Sequence, residues 1–585
     1  MRKIMCMMLL LTAAALTSAC SNDDEIESTG SYDTDSTADG SGSLATGSSD
    51  LLTFAVAIDK STAEPATTAS AFYPEAEDNL SDDANSGDFD TTVSIDVSNP
   101  TTGTINDVVE VTNTNGNIVC NHGSNKVCYV LSGSTASGSV TIMGDKKCKV
   151  TLNGVSITSP DSAALNVLCK KRCFLYVADG TENTLQDTKC ASSNEHKGAL
   201  YCKGKLLVHG TGALNVYGNH RNGIHSADYI IFNQGNNIYV KTPSTVTENG
   251  HGIKANDGIF INGGIINVEV AAAAAKGINC EDSVIVRGGR TTVVTTGGGA
   301  YEDSEAKGSA GIKSDTSLTM YDGEVNLQSS GAGGKGVSID GIFTMNGGTL
   351  RVITSGGQYS SGSDTASPKG IKCDNNIYLN GGIIKVRTSG RNGEGIESKA
   401  KLYIAGGTVQ VSAYDDGINS KSDMYISGGS ITAVGNNSDG VDSNGNLYIS
   451  GGNLTAMGAS GAETGIDVGE NCRLYVTGGS FFGIGGRIDC SIGSTTQGIC
   501  STSGSVQANS TVTVSKDGST LSTFIMPPYS YNNGTIMVSA AGMNSNNTYT
   551  IALGTSTVTA TASTSVSSGM GGGGGGGLPG WGGRW

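Results

Sequence analysis

Acidic side chains recur around Gly-Ile and Gly-Val pairs in the later part of this sequence. The residues just before the Gly and two after it are Glu394/Glu397, Asp416/Asn419, Asp439/Asp442 and Thr464/Asp467, with Asp415 and Glu463 alongside. If such pairs stack, neighbouring carboxylates come about 5 Å apart and repel one another. Calcium relieves that repulsion, because it takes hard oxygen ligands in a flexible geometry. Glu394, Glu397, Asp415, Asp416, Asp439, Asp442 and Asp467 are therefore candidate metal ligands. A solvated acidic edge is the alternative reading, since the spacing matches no EF-hand.

Earlier in the chain the same line is basic. Lys254, Lys313 and Lys372 stand two residues after the Gly, and Lys276, Lys335 and Lys369 directly before it. Such a strip could meet the carboxylates of a uronic-acid polymer, or it could simply keep the repeat soluble. Two longer stretches, Gly298–Ala310 and Gly356–Lys369, carry Tyr301 and Tyr359 with several acids. Exposed Tyr could stack on sugar rings, and solenoid insertions commonly emerge on a binding face. Lys254, Lys313, Lys335, Lys369, Lys372, Tyr301 and Tyr359 are the candidate ligand-binding residues. Asp228, Asp257, Asp282, Asp315, Asp340 and Asp374 follow the Gly by four or five residues and read as turn chemistry.

No catalytic constellation stands out. Two carboxylates can be paired at will among so many acids, so glycoside hydrolysis is not specified. The six His are scattered, and no Gly-Lys-Ser/Thr closes a phosphate loop. Cys169 and Cys173 have no His at zinc spacing. Cys280 and Cys373 occupy one repeat position and read as buried small residues. Catalytic residues are therefore none, and the chain reads as a binding protein rather than an enzyme.

The elements that position these residues follow from spacing. Gly followed by Ile or Val recurs at 223, 252, 277, 311, 336, 370, 395, 417, 440 and 465. A second mark, usually Gly-Gly, starts at 263, 288, 322, 347, 381, 406, 428, 451 and 478. From Gly252 the two marks stay 11 residues apart eight times running. Fixed self-similarity of this kind is a solenoid signature. Most repeats advance 22–25 residues with short β-rich stretches, as a parallel β-helix coil does, with Gly at the corners. The Gly+1 residues, Ile224 through Ile466, should point inward. The expected fold is an all-β, right-handed parallel β-helix over residues 127–495. Residues 51–126 form an N-terminal β cap, 496–562 a C-terminal β cap and 563–585 a Gly-rich tail.

The N-terminus is a targeting segment. Arg2 and Lys3 precede an apolar run that ends in Thr17-Ser18-Ala19-Cys20. Residues 1–19 read as a signal peptide, Cys20 as a lipidation site and 20–50 as a tether. The acidic Ser21-Asn22-Asp23-Asp24-Glu25 resembles the surface-export signal of Bacteroidetes lipoproteins, which implies lipid anchoring in the outer membrane, facing the medium. The net charge of −17 argues against a nucleic-acid surface. Gly is abundant at 87 residues, but with only 9 Pro and no three-residue period collagen is excluded.

The segments Val150–Thr158 and Ala178-Asp-Gly-Thr-Glu-Asn-Thr-Leu185, taken with the Gly-Ile and Gly-Gly coils, resemble the bacterial carbohydrate-binding β-helix proteins that look like polysaccharide lyases. The resemblance covers roughly residues 100–560. It implies a pectate-lyase-like right-handed β-helix, bound calcium, and affinity for plant cell-wall polymers such as polygalacturonate or cellulose. It places possible calcium ligands at the acids flanking Gly-Ile in the later coils. Two further functions stay open: a calcium-dependent polysaccharide lyase, and a structural adhesin with a surface-protein partner.

Overall fold

The computed structural model describes residues 54–60, 63–75, 89–169, 171–188, 197–248 and 250–565. The signal segment, Cys20, the tether, and the tail from residue 566 on lie outside the described residues.

Each regular coil is built from three short strands. In the coil that begins at Gly252 they are Ile253–Ala255, Ile259–Ile261 and Ile265–Val270. The first belongs to a 16-stranded sheet, and the other two to a 27-stranded sheet. Stacking is parallel and in register, so Ile253 faces Ile278, which faces Ile312. The fold is thus a parallel β-solenoid, as the spacing predicts, and of the pectate-lyase-like kind that the resemblance implies. The inward column from Ile224 to Ile466 is nowhere more than 2% exposed. A thin coil has no core of its own, and this column supplies one only when the coils stack.

The two glycine marks have different physical reasons. The second Gly of each Gly-Gly pair turns the chain with a left-handed backbone, as at Gly264 (φ +87), Gly348 (φ +76) and Gly407 (φ +80), a region that costs other residues energy. A Cβ on Gly348 would also stand 2.6 Å from the Gly323 carbonyl one coil away. The Gly before Ile has an ordinary backbone. At Gly277 the limit is space, because a Cβ there would strike the Val293 side chain of the same coil.

The small residue two after Ile closes the corner by hydrogen bonding. Cys280 and Cys373 are buried as expected, but they also act as donors. The Cys280 thiol donates to the carbonyls of Asp257 (2.9 Å) and Ser283 (3.4 Å). The Ser398 hydroxyl makes the equivalent pair to Asn375 (2.9 Å) and Lys401 (3.1 Å). Ser and Cys therefore exchange at this position because both are small donors.

The ends differ from the expected boundaries. The solenoid begins before residue 127, since Thr91–Asp96 already pairs in parallel with Val127–Ser132. Residues 103–121 form antiparallel strands that open the 16-stranded sheet. The described residues 54–60 and 63–75 contain no strand and lie as a strap on the outer face of the coils. Glu64 accepts the Gly235 and Gly264 N–H groups (2.8 and 2.5 Å), and Glu75 pairs with Arg172 (2.6 Å) and Lys205. Phe72, Tyr73 and Phe89 pack on an outward apolar column of Phe174, Leu207, Ile231 and Phe260. At the other end Tyr531–Ser539 runs antiparallel to Ser480–Gly485, and the strands on either side of it in sequence, Thr511–Lys516, Ser519–Ile525, Thr548–Leu553 and Ser556–Thr561, form a four-stranded antiparallel sheet. No helix among the described residues is long and apolar enough to cross a membrane.

The Gly348→Ala variant should lose at least about 1–2 kcal/mol from the left-handed backbone alone, and Ile371→Ala about 2–5 kcal/mol from its cavity. Urea unfolding monitored by circular dichroism reads both. Midpoints within error of the wild type would refute this assignment of coil contacts.

Candidate functional site

The 16-stranded sheet presents two outward columns, and the register aligns their charges. The column two after Gly reads His225, Lys254, Asn279, Lys313, Ser338, Lys372, Glu397, Asn419, Asp442, Asp467. The column before Gly reads Lys276, Ala310, Lys335, Lys369, Glu394. Both change from basic to acidic at the same coils.

The basic half floors a cleft of about 900 Å³, whose lining carries Lys254, Lys276, Lys307, Lys313, Lys335 and Lys372 together with seven acids. The first of the two insertions forms one wall, through residues 302–310. Each is a β-hairpin, Ala300–Lys307 and Tyr359–Ala366. Asp303 (φ 50) and Ser304 (φ 67) make the tip of the first. Tyr301 projects from it and is 52% exposed. Tyr359 does not project freely, because its ring packs over Gly299 at the base of the first hairpin. It braces the two insertions.

Several predicted ligand lysines are already paired. Lys254 meets Glu281 at 2.9 Å. Lys313 lies 2.8 Å from Asp315 and 2.6 Å from Asp340, and Lys372 is 2.6 Å from Asp374. These three Asp are counter-ions to the strip, a role beyond the turn chemistry expected of them. Lys369 is buried and held by Glu394 (2.6 Å) and Glu397 (3.4 Å) at the junction of the two halves. It is a structural link rather than a ligand group. Lys276 and Lys335 differ from the rest. The Lys276 ammonium donates to the carbonyls of Ala274 and Gly308 (3.0 Å), and that of Lys335 to Gly333 (3.2 Å). Burial pulls each of them down to about 8 from the usual 10.5. They stand two coils apart, about 10 Å along the axis. His251 joins them: its Nδ1 accepts the Lys276 N–H (3.0 Å), and burial beside lysines keeps its ring neutral.

The acidic half is desolvated. Burial, reinforced by neighbouring carboxylates, raises Asp439 to about 6, Asp467 to about 7 and Asp442 to about 8. Burial also raises Asp415. Glu397 is held down by Lys369 and Lys399 despite burial. It and Glu394 are therefore lysine partners first. The donor set is the hard-oxygen type that calcium prefers, and the buried Glu394 Oε2 and Thr464 Oγ1 have no hydrogen-bond partner. Among the described residues, however, no group of three or more His, Cys, Asp or Glu stands ready to hold a metal. The carboxylates instead accept local N–H groups, as Asp416 does from Asn419 (2.9 Å) and Asp439 N (3.1 Å).

An aromatic ladder escaped sequence reasoning. Tyr378, Tyr403, Tyr425, Tyr448 and Tyr475 stack at 4.8–4.9 Å with planes within 7°. The signal was present, because each is the middle residue of an apolar-Tyr-apolar strand. Stacking turns the faces of the three middle rings toward one another, so these rings offer edges rather than platforms.

The structure is a β-solenoid with a lysine-lined cleft and an adjoining acidic line. Comparison with known proteins places it. The chain belongs to the carbohydrate-binding domain-containing protein family, which matches at residues 113–271, 244–416 and 389–576. A carbohydrate-binding domain-containing protein of Acetivibrio thermocellus is 28% identical over 120 residues, which is 19% of this chain and 42% of that protein. The aligned part thus spans less than half the length of that relative. A solved polysaccharide lyase-like protein from C. thermocellum, a gadolinium derivative, is 22% identical, with a TM-score of 0.34, over 43% of this chain and 96% of that one.

Because Lys276 holds its proton less tightly folded than unfolded, its contribution to stability is complete above about 10.5 and falls away as pH drops through about 8. The stability of wild type relative to Lys276→Met should therefore rise between about pH 7 and 10. A difference that stays flat in thermal melts across that range would contradict the burial of this amine.

Proposed function

We propose that this protein binds an acidic polysaccharide along the cleft, with its uronate carboxylates placed on Lys276 and Lys335. The observation that carries this reading is that, of the six cleft lysines, these two have carbonyl partners and, among the described residues, no carboxylate within ion-pair distance. A carboxylate arriving there gains a charge-assisted hydrogen bond without displacing an existing ion pair. The separation of the two lysines is close to the length of two sugar units in an extended chain. The cleft lining is near charge balance, with six lysines against seven acids, which favours a polymer of moderate charge density. Membership of the carbohydrate-binding family supports the ligand class.

Titration calorimetry with oligogalacturonates tests the reading. Lys276→Gln and Lys335→Gln should each weaken binding about tenfold, the worth of one hydrogen bond to a charged group. Binding should also fall as salt is added. Unchanged affinity in both variants would remove the site.

Lyase activity is the second reading, and the lowered proton affinity of Lys276 favours it. A lysine neutral near pH 8 can take the proton beside a uronate carboxylate. The C–O bond on the next carbon then breaks, the leaving oxygen takes a proton, and an unsaturated sugar remains. Ultraviolet absorbance of that product on polygalacturonate should appear with a pH profile rising through about 8 and vanish in Lys276→Gln. No absorbance change from acid to alkaline pH would exclude the reaction on this polymer.

Calcium and surface anchoring complete the proposal. Asp416, Asp439, Asp442 and Asp467 would hold a hard cation, whose charge would offset the repulsion along the acidic line and stabilise the later coils. Chelation should then lower the melting temperature, and Asp439→Asn with Asp442→Asn should abolish most of that sensitivity. Identical melting curves with and without chelator would rule the ion out. Lipid attachment at Cys20 would hold the solenoid at the outer surface of the cell.

A further inference from the structure

We propose a second glycan subsite, for a neutral sugar, in the groove between the last regular coils and the loop Pro527–Asn533 of the C-terminal β domain. It rests on the carbohydrate-binding reading for its ligand class, but uses none of the residues assigned to the cleft.

The groove has a volume of about 380 Å³, within the range that takes a small ligand. Its floor is the end of two strands, where Val434 and Met457 lie beside Gly435 and Gly458. Its opposite wall is Tyr529-Ser530-Tyr531-Asn532. None of the lining residues is Asp, Glu, Lys or Arg, although the chain carries 53 acids and 36 bases. A charged ligand would find no counter-ion there. A neutral one would lose none on entering.

The wall is built to present polar atoms rigidly. Two prolines precede Tyr529, and its N–H donates to the Pro527 carbonyl (2.7 Å). The Tyr531 hydroxyl donates to the Ala459 carbonyl (2.9 Å), which ties the loop to the coil across the groove. Tyr529 and Ser412 share a hydrogen bond (3.0 Å), and the Asn436 amide donates to that same Ser412 oxygen (3.2 Å). Asn436 thereby commits its NH₂ group to the protein and keeps its carbonyl oxygen as an acceptor. Ser460 and Asn532 are exposed at the rim. Tyr with Ser and Asn is the combination that gives large rigid contact area and adaptable hydrogen bonding at low entropy cost. An apolar floor, a half-exposed ring and amide and hydroxyl groups without charge match the faces and hydroxyls of a neutral pyranose. The acidic half of the solenoid has no other feature suited to such a ligand, since its tyrosine ladder shows ring edges.

Titration calorimetry on the full chain, with neutral β-1,4-linked hexasaccharides of glucose and of mannose, tests this subsite. A galacturonate hexamer serves as the charged counterpart. Tyr529→Ala removes the ring. Ser460→Trp fills the groove from an exposed position and leaves the packing intact, so it reports even if the first variant unfolds. At least one neutral hexamer should bind, and each variant should weaken it by about tenfold or more. Lys276→Gln should leave that binding unchanged, and the galacturonate hexamer should show the reverse pattern. Neutral binding that survives Ser460→Trp, or no neutral binding while galacturonate still binds, would overturn the second subsite alone. Loss of both ligands in the wild type would overturn the cleft reading as well.

Discussion

In-register parallel stacking is the constraint on which the rest of this structure depends. One coil sits on the next with Ile over Ile and Gly over Gly, so every residue type repeated in the sequence becomes a column in space. The columns need two backbones to approach closely at each corner. Glycine allows that approach, by a left-handed turn at the Gly-Gly mark and by leaving room for a Val side chain at the Gly-Ile mark. The inward column supplies the core, and the outward columns inherit whatever charge pattern the repeat carries.

That inheritance explains both halves of the charged face. Lysines on alternate coils become a strip, and acids on later coils become a line whose members are partly desolvated. The two halves meet where Lys369 is held by Glu394 and Glu397. This junction joins the acidic line to a lysine strip whose charge is largely balanced by its own carboxylate partners. The first insertion walls the basic half, so the cleft contains the two amines held by carbonyl groups, Lys276 and Lys335.

The repeat made most of the fold legible before any coordinates. An 11-residue spacing held over eight coils leaves few alternatives, and the Ile column follows from strand alternation. The change from lysine to acid along one line could also be read directly, because it depends only on register. Partner choice could not be read. Asp315, Asp340 and Asp374 look like turn residues in a sequence, and only the stacked coils bring them to Lys313 and Lys372. The strap over residues 54–60 and 63–75 was equally hidden, since an extended segment without strand periodicity gives no sign of the distant surface it covers. The tyrosine ladder had a visible signal in its fixed position, but whether rings show faces or edges depends on their rotamers. The groove beside Tyr529 depends on how a non-repeating domain docks on the last coils, which no periodicity encodes.

The central claim is that an acidic glycan lies on the coils between Lys254 and Lys372. Hydrogen–deuterium exchange of the intact protein, with and without an oligogalacturonate, tests it most directly. The account predicts added protection in the first hairpin, Ala300–Lys307, and in the strands that carry Lys276 and Lys335, with the coils beyond residue 400 unchanged. Protection confined to the later coils, or absent from the first hairpin at saturating ligand, would contradict it.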